Sequence, residues 1–489
     1  MPSVSFATKR WRLAVLGAAI APVVVLVTAG ATPSPQPTDV QIDLYQDGVA
    51  TAGPGVLLRL PAGMGATYLD GSRVLDPAAL DPPWLTDGID AADGEVDRLS
   101  QVAGSPVTAG SLLDVAGAER AAAASRAWLA DGRVPGAGTR FEELGEDALL
   151  DLHALTLENG ASLAAASPRW RYVWPRDSSF TAAAYARTGH VDDALRVLDF
   201  LRSVQEPDGS FHARYLPDAS GVPDDRGLQS DGNGWALWAA WTVLDEIDAP
   251  GERDDARERL APLVDASTEH VLALLDDDTD LPPPSSDYWE VHPTDLTLGT
   301  AAPLLAGLEG AMAFYRDGEQ WDRAADAASA AMRLRSAIED RFGSQGYPRA
   351  VSGGAQDAAT TFALPPFQPT ALSGAEDAWR SSVMSMLRPA GGVAPGAGWR
   401  TDGVSWTPQT ALFALAGASI GEEEAAESWL DWLGTHRTES GAIPEKVLAD
   451  GSPAAVAPLT WSSSLVVLTL VELEERRIEA AAEAEAPAP

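Results

Sequence analysis

Amphipathic helical segments follow one another along most of this chain, which restricts it to architectures built from packed helices. Val191, Ala194, Leu195 and Leu198 show the i, i+3, i+4, i+7 spacing of a helix with one buried face. The same pattern predicts about twelve helices along the chain. Their approximate bounds are 141–166, 178–187, 191–204, 231–247, 253–276, 297–316, 318–341, 355–364, 373–387, 406–419, 421–436 and 459–478.

The connections between these helices alternate between long and short. The long ones are 167–177, 205–230, 277–296, 342–354, 388–405 and 437–458. Helical hairpins joined in this order and closed into a ring place every long loop at one end, where functional residues are commonly found. We therefore expect an all-α fold, an (α/α)6 barrel or six-hairpin toroid, although an open stack of helical repeats has the same periodicity.

The two ends of the chain differ from this helical region. Lys9, Arg10 and Arg12 precede an apolar run and small residues at 29–31, which predicts a signal peptide or an uncleaved membrane anchor over 13–30. We expect a secreted or extracellular protein. The predicted domains are a signal or anchor at 1–31, a linker and small irregular or β-containing region at 32–107, a catalytic domain at 108–478 and a disordered tail at 479–489.

The net charge and the aromatic content of the chain indicate which classes of molecule it can bind. The formal net charge of -37 at pH 7 repels phosphate backbones and anionic lipid, which argues against nucleic-acid and membrane-surface partners. The chain contains 16 Trp against 8 Tyr, and indole faces commonly hold neutral sugars, so carbohydrate is the first substrate class to test. The chain has no Cys, and its His residues show no metal-ligand spacing, so we expect it to need no metal or cofactor. We also expect it to act as a monomer.

Two carboxylates in different long loops fit the requirements of glycosidic bond cleavage. Cleavage with inversion needs one acid to protonate the leaving oxygen and one carboxylate to activate water across the ring. Glu290 follows Trp289, whose indole would desolvate the carboxyl and favour the protonated form that an acid requires. Glu445 follows Pro444 in another long loop. Any one of the 71 Asp and Glu is, taken alone, more often a solvated surface charge.

Four segments resemble motifs of glycoside hydrolase family 15, the glucoamylase-like enzymes, in order and spacing, and the resemblance extends from about 143 to 470. Residues 172–177 look like the family's Trp-x-Arg-Asp substrate loop, and 228–232 look like its Gln-x-Asp-Gly. Residues 287–290 resemble the Asp-Leu-Trp-Glu that carries the catalytic acid. Residues 441–445, followed by 458–462, resemble the segment that carries the base.

The resemblance implies a role for each matching residue. It makes Glu290 the general acid and Glu445 the general base of an inverting enzyme. It also implies contacts with the terminal glucose or the neighbouring substrate for Trp174, Arg176, Asp177, Asp231, Trp289 and Trp461. Arg400 joins this binding set through residues 398–402, which echo the family's Arg-Tyr-x-x-Asp loop.

The function expected from these features is exo-acting hydrolysis of α-glucans or short α-glucosides, releasing glucose from the non-reducing end with inversion. Two alternatives stay open at this point. A trehalase or a dextran-type glucosidase would use the same barrel on another linkage. A catalytically silent sugar-binding protein of the cell surface would keep the binding residues without turnover.

Overall fold

A computed structural model describes residues 40–51, 56–80 and 114–485 of the chain. Within these residues twelve α-helices account for most of the ordered structure. They are α1 Val115–Asp131, α2 Glu142–Leu155, α3 Pro175–Arg187, α4 Val191–Val204, α5 Asp231–Asp245, α6 Pro250–Leu274, α7 Leu298–Asp317, α8 Trp321–Arg341, α9 Ala375–Met386, α10 Thr407–Ser419, α11 Glu423–Thr435 and α12 Thr460–Glu485.

Six inner elements form a closed ring. In order around the ring they are α3, α5, α7, the 3-10 helix Ala358–Ala363, α10 and α12, and α12 packs back against α3. Nearly every residue of α3, α5 and α10 is buried, as expected for helices enclosed on all sides. Ring closure excludes the open stack of repeats and confirms the (α/α)6 prediction.

An outer layer of six helices covers the ring. The helices α4, α6, α8, α9, α11 and α2 each pack mainly on one inner element. Five of these pairs are helical hairpins, and the sixth joins α2 to α12 from opposite ends of the barrel sequence. These outer helices bury only one face: in α8 the buried residues are Ala324, Ala327, Ala330, Ala331, Leu334 and Ile338. This spacing matches the helical periodicity of the sequence, whereas the inner helices are apolar on all sides.

The inner helices α5 and α7 approach each other through glycine. A Cβ atom added at Gly234 would lie 2.2 Å from the carbonyl oxygen of Pro303, and one at Gly307 would lie 2.7 Å from the Cα of Gly234. Neither distance is sterically possible without a shift of the backbone. The two glycines therefore set the spacing of α5 and α7, and with it the position of Asp231 at the start of α5.

Short strands complete the structure. The antiparallel hairpin of β1 (Gly48–Thr51) and β2 (Leu57–Leu60) confirms the expectation of a β-containing N-terminal region. Arg73 fastens this region to α2, because its guanidinium lies 2.6 Å from Asp151 and 2.9 Å from Asp147. The remaining strands are β3 (Pro348–Ala350), β4 (Gly353–Gln356), β5 (Ser405–Trp406), β6 (Lys446–Val447) and β7 (Pro453–Ala454).

Several predicted element bounds are wrong. The helix predicted over 141–166 ends at Leu155, because a turn with Gly160 at φ 85° brings Thr156 back against Ser162. The segment predicted as a helix over 355–364 is a short 3-10 helix. No separate helix was predicted for α1. The last helix continues to Glu485, so the first part of the tail predicted to be disordered from 479 is helical.

The predicted signal or anchor at 1–31 and most of the linker lie outside the described residues, as do 486–489. Among the helices of the described segments, none combines the length and the apolarity needed to cross a membrane.

Candidate active site

A pocket of about 320 Å³ lies among the long loops and the first turns of the inner helices. Long loops contribute Trp174, Trp289, Glu290, Trp399 and Glu445 to its wall. The first turns of α3, α10 and α12 add Arg176, Asp177, Gln409 and Trp461. Two predicted carboxylates that are far apart in sequence thus face one cavity.

Arg176 and Asp177 form a buried pair at the N-terminus of α3. The Nε of Arg176 donates to Oδ1 of Asp177 at 3.1 Å, and the guanidinium stacks 4.7 Å from the centroid of the Trp461 ring. Burial raises the pKa of Asp177 to about 6, although the charge of Arg176 opposes this shift. Both side chains line the pocket, so hydroxyl groups of a ligand can reach them.

Asp231 lies behind this pair, outside the pocket wall. Its Oδ2 is 3.6 Å from Nη1 of Arg176, and the residue is only 1% exposed. Burial raises the pKa of Asp231 to about 7, and Arg176 offsets that effect only in part. The structure therefore places Asp231 against Arg176, where it positions the guanidinium, and not where a sugar would contact it.

We expect Asp231→Asn to make thermal stability less dependent on pH. Because the folded-state pKa is about 7 and the ordinary value is 3.8, the folded protein keeps a proton that the unfolded chain has lost between these values. This bound proton stabilises the folded protein, and that stabilisation is lost as the pH rises toward 7. One pKa unit corresponds to about 1.4 kcal/mol, so ionisation of Asp231 lowers the free energy of unfolding by at most about 3 kcal/mol between pH 5 and 8.

The measurement is the Tm of both proteins at pH 5 and pH 8, with the exposed Asp278→Asn as control. Wild type should lose Tm relative to Asp231→Asn as the pH rises, whereas the control should follow wild type. Parallel pH profiles for wild type and Asp231→Asn would show that Asp231 stays ionised throughout this range.

The loop that carries Glu290 is fixed by a buried carboxylate. Asp287 accepts hydrogen bonds from the backbone N–H of Trp289 at 3.0 Å and from the hydroxyl of Thr297 at 2.8 Å. Arg349 bridges Asp287 and Asp357 at 2.8 and 2.6 Å and stacks 3.7 Å from the Trp289 ring centroid. Glu290 itself adopts a left-handed φ of 54°, which is unfavourable for a residue with a side chain and is common at functional sites.

The surroundings of the Glu290 carboxylate are more polar than predicted. Arg226 donates from Nη1 to Oε2 at 3.0 Å, and Nη2 of Arg176 lies 3.6 Å from Oε1. The expectation of an apolar setting beside Trp289 is therefore wrong, because two guanidinium groups, one from the first turn of α3 and one from another loop, face the carboxylate. Oε1 is buried and has no hydrogen-bond partner within the described part of the chain.

Glu445 is held by its backbone beside the short sheet. Its N–H donates to the carbonyl of Val456 at 2.7 Å, and its carbonyl accepts from the N–H of Thr407 at 3.1 Å. Nζ of Lys446 lies 3.4 Å from Oε2 and 4.2 Å from the Trp406 ring centroid. The side chain is 12% exposed and lines the pocket.

Indole groups surround the pocket with unpaired donors. The Nε1 atoms of Trp174, Trp289, Trp399, Trp406 and Trp461 are buried, and none has a hydrogen-bond partner in the described structure. Buried polar groups in native proteins are almost always paired. These five atoms are exceptions to that rule, and a sugar ring can stack on the indole faces that line the pocket.

Arg400, like Asp231, is a predicted binding residue that does not line this pocket. Its side chain is exposed, and its guanidinium lies 5.5 Å from the Trp399 ring centroid. Asp402 caps its own turn by accepting from the N–H of Val404 at 3.1 Å. Pocket residues to which the sequence assigned no role include Arg169, Trp170, Arg214, Arg226, Tyr288, Trp399, Trp406 and Gln409.

Known proteins share this architecture. No protein-family model matches the chain. An isomaltose glucohydrolase of Kribbella flavida is 26% identical over 346 residues, which cover 62% of this chain and 84% of the relative. A solved wild-type glycosidase aligns with a TM-score of 0.58 and 22% identity, covering 67% of this chain and 95% of that one.

A bacterial glucoamylase complexed with acarbose aligns with a TM-score of 0.57 and 17% identity, over 75% of this chain and 61% of that one. This chain has the glucoamylase-like glycosidase fold. These comparisons confirm the expected resemblance to glucoamylase-like glycosidases at the level of the fold. In this glucoamylase-like barrel the candidate pocket lies at the ends of the inner helices α3, α10 and α12.

Proposed function

We propose that this chain is a glycoside hydrolase that removes glucose from the non-reducing end of α-glucosides with inversion. One observation supports this most strongly: Glu290 and Glu445, from different loops, line a single 320 Å³ pocket together with Asp177 and six indole groups. The release of glucose from short α-glucosides tests the activity directly, and absence of release from every linkage would reject it.

In the proposed mechanism Glu290 protonates the glycosidic oxygen as the bond to the anomeric carbon breaks. Glu445 accepts a proton from the water that attacks the opposite face of the ring. In the free protein Arg226 donates a hydrogen bond to Oε2 of Glu290. Its guanidinium must therefore move away when Glu290 donates its proton through that oxygen. Catalytic hydrogen bonds often change in this way when substrate binds.

The floor of the pocket fits the terminal glucosyl unit. Arg176 and Asp177 together offer donors and acceptors to adjacent hydroxyl groups, and Trp461 and Trp174 provide apolar faces. The Kribbella flavida relative is named for isomaltose, so α-1,6 glucosides belong in the substrate panel beside α-1,4 glucosides. Trehalose and dextran complete the panel.

Asp177→Asn should weaken binding of a glucose-like inhibitor by about 10- to 100-fold, since a hydrogen bond to a charged group contributes roughly 1.5–3 kcal/mol. Calorimetry with such an inhibitor measures the effect, and the exposed Asp278→Asn serves as control. The Tm should be kept, because the neutral amide fits a site whose pKa is already raised to about 6. Unchanged affinity would show that Asp177 is purely structural.

We also propose export for this enzyme. The basic residues and apolar run at its N-terminus support it, and an external enzyme would meet α-glucans directly. Cell fractionation tests this, and mature protein found only in the cytosol would contradict it.

A further inference from the structure

Residues 43–47 contact the loop that carries the candidate base on both sides of Glu445. This loop, 436–459, connects α11 to α12. We call it the base loop, and we call residues 43–47 the bracing segment. The bracing segment lies just before β1, in a region to which the sequence assigned no role.

The contact that follows Glu445 in the base loop is a pair of backbone hydrogen bonds at Ala455. The N–H of Tyr45 donates to the carbonyl of Ala455 at 2.6 Å, and the N–H of Ala455 donates to the carbonyl of Asp43 at 3.0 Å. The carbonyl of the next residue, Val456, accepts the N–H of Glu445 at 2.7 Å. The bracing segment is therefore bonded to the residue beside the one that holds the backbone of the base.

Ala455 has a backbone conformation that needs such support. Its φ is 68°, in the left-handed region that residues with a side chain rarely adopt. A residue of this kind keeps its conformation only where the surrounding structure fixes it. Ala455 is 1% exposed, and the bracing segment supplies a partner for its N–H and for its carbonyl. Loss of these bonds would let 455–456 relax and would shift the carbonyl that Glu445 contacts.

The contact that precedes the base in its loop is centred on Asp47. One carboxylate oxygen of Asp47, Oδ2, accepts from the hydroxyl of Ser440 at 3.2 Å and from the N–H of Gly65 at 2.9 Å. The carbonyl of Asp47 accepts from the hydroxyl of Thr438, which in turn accepts the N–H of Ala442 at 3.2 Å. Asp47 is 1% exposed, so these bonds are shielded from water. The bracing segment thus contacts both parts of the base loop.

The bracing segment is itself fixed to the barrel. It continues directly into β1, which pairs with β2, and Arg73 of the same region forms ion pairs with α2. Asp147 of α2 also lies 2.8 Å from Arg437, at the start of the base loop. A carboxylate shared by Arg73 and Arg437 therefore anchors the N-terminal region and the base loop to the barrel at one place.

We infer that the bracing segment positions Glu445 for catalysis, through Ala455 on one side of the base and Ser440 on the other. The N–H of Tyr45 and Oδ2 of Asp47 are the positioning groups, and neither residue lines the active-site pocket. This inference rests on the proposed function, because both groups act through the base. Displacement of a base by about 1 Å can cost on the order of 10²-fold in rate.

A matched pair of variants at position 45 tests the contact with Ala455. Tyr45→Pro removes the N–H that pairs with Ala455, whereas Tyr45→Ala removes the ring and keeps that N–H. Tyr45→Pro should lower kcat on maltose at least about tenfold and change KM less than about twofold, because the base is displaced while the binding residues stay in place. Tyr45→Ala should keep kcat within about twofold of wild type. Equal kcat values for the two variants would overturn the proposal.

Asp47 gives a second matched pair. A single oxygen accepts from Ser440 and Gly65, so the amide oxygen of Asp47→Asn can take its place, whereas Asp47→Ala leaves both donors without it. Asp47→Ala should lose kcat at least about tenfold, measured well below its Tm, and Asp47→Asn should recover most of this loss. A kcat that is the same in both variants would overturn the role of this acceptor.

A double-mutant cycle shows whether the loss acts through the base. Glu445→Gln already lacks the base, so adding Tyr45→Pro should lower its remaining kcat by less than about twofold. Glu290→Gln should still use the base on α-glucosyl fluoride, whose fluoride leaves without needing a proton. On that substrate Tyr45→Pro should keep its full effect in the Glu290→Gln background. A loss of similar size in both backgrounds would mean a general defect of folding and would overturn the proposal.

Hydrogen exchange separates failure of this inference from failure of the proposed function. The N–H groups of Glu445 and Ala455 are hydrogen-bonded, and their exchange can be followed without substrate. Tyr45→Pro should speed exchange within 443–456 at least about tenfold, and Tyr45→Ala should not. Unchanged exchange in Tyr45→Pro would overturn the inference even if wild type is an active hydrolase. If wild type cleaves no α-glucoside, the proposed function fails, and faster exchange in Tyr45→Pro still supports the bracing contact.

Discussion

Glu445→Gln should lower kcat at least about 10²-fold, the scale of general base catalysis, while the Tm stays unchanged. Glutamine keeps the size of the side chain but cannot accept a proton from water. The fold should tolerate it, because Glu445 is held mainly by its backbone, through Val456 and Thr407. Glu439→Gln, at an exposed position of the same loop, is the matched control and should keep full activity.

A small anion distinguishes loss of a base from loss of binding. Azide can attack the anomeric carbon without giving up a proton, so it should restore turnover of Glu445→Gln and yield β-glucosyl azide. Full activity of the variant, or loss of activity that azide cannot restore although substrate still binds, would remove Glu445 from the mechanism.

Glu290→Gln should also lose at least about 10²-fold in kcat on maltose-like substrates, because their leaving oxygen must be protonated. Fluoride leaves α-glucosyl fluoride without needing a proton, so the variant should hydrolyse this substrate at a rate close to that of wild type. The same substrate should remain slow with Glu445→Gln, which lacks the base. The contrast between the two variants therefore assigns each role separately.

Steady-state kinetics of both variants on maltose, isomaltose and α-glucosyl fluoride measure this contrast. Equal losses on all three substrates would mean that Glu290 does not act as an acid. Since Arg226 and Arg176 both contact Glu290, loss of its charge also changes this ion-pair network, and the Tm of Glu290→Gln must be measured alongside.

The ring of helices was predictable because the outer helices show a regular spacing of apolar residues in the sequence. Outer helices such as α8 alternate buried and exposed residues, and the loop lengths alternate between the two ends of the hairpins. A helix was predicted over 355–364, but not that it would be the short 3-10 helix Ala358–Ala363, because its residues are all buried and a short apolar run has no diagnostic period. Its type is set by packing against α7 and α10.

The sequence predicted the position of a site residue correctly where the local backbone around its motif is well defined. Arg176 and Asp177 begin a helix, and Glu290 follows an Asp287-centred turn, so their local structure constrains where they point. Arg400 lies in an open loop, and nothing nearby in sequence directs it inward. Its exposed position shows the limit of transferring a role through a loose motif.

The arginines of the pocket had no sequence signal of their own. Arg214 stacks 4.3 Å from the Tyr172 ring and pairs with Asp224, while Arg226 reaches Glu290 from the same long loop. These partners are separated along the chain, and only tertiary packing brings them together. Sequence patterns therefore predicted the carboxylates but not the cations that surround them.

The anomer of the first glucose released tests the central mechanism most directly. Proton NMR follows hydrolysis of an α-glucoside by the wild-type enzyme before mutarotation equilibrates the product. The proposed pair of Glu290 as acid and Glu445 as base predicts β-glucose as the initial product, because water attacks the face opposite the leaving group. Initial release of α-glucose would mean retention and would contradict this account.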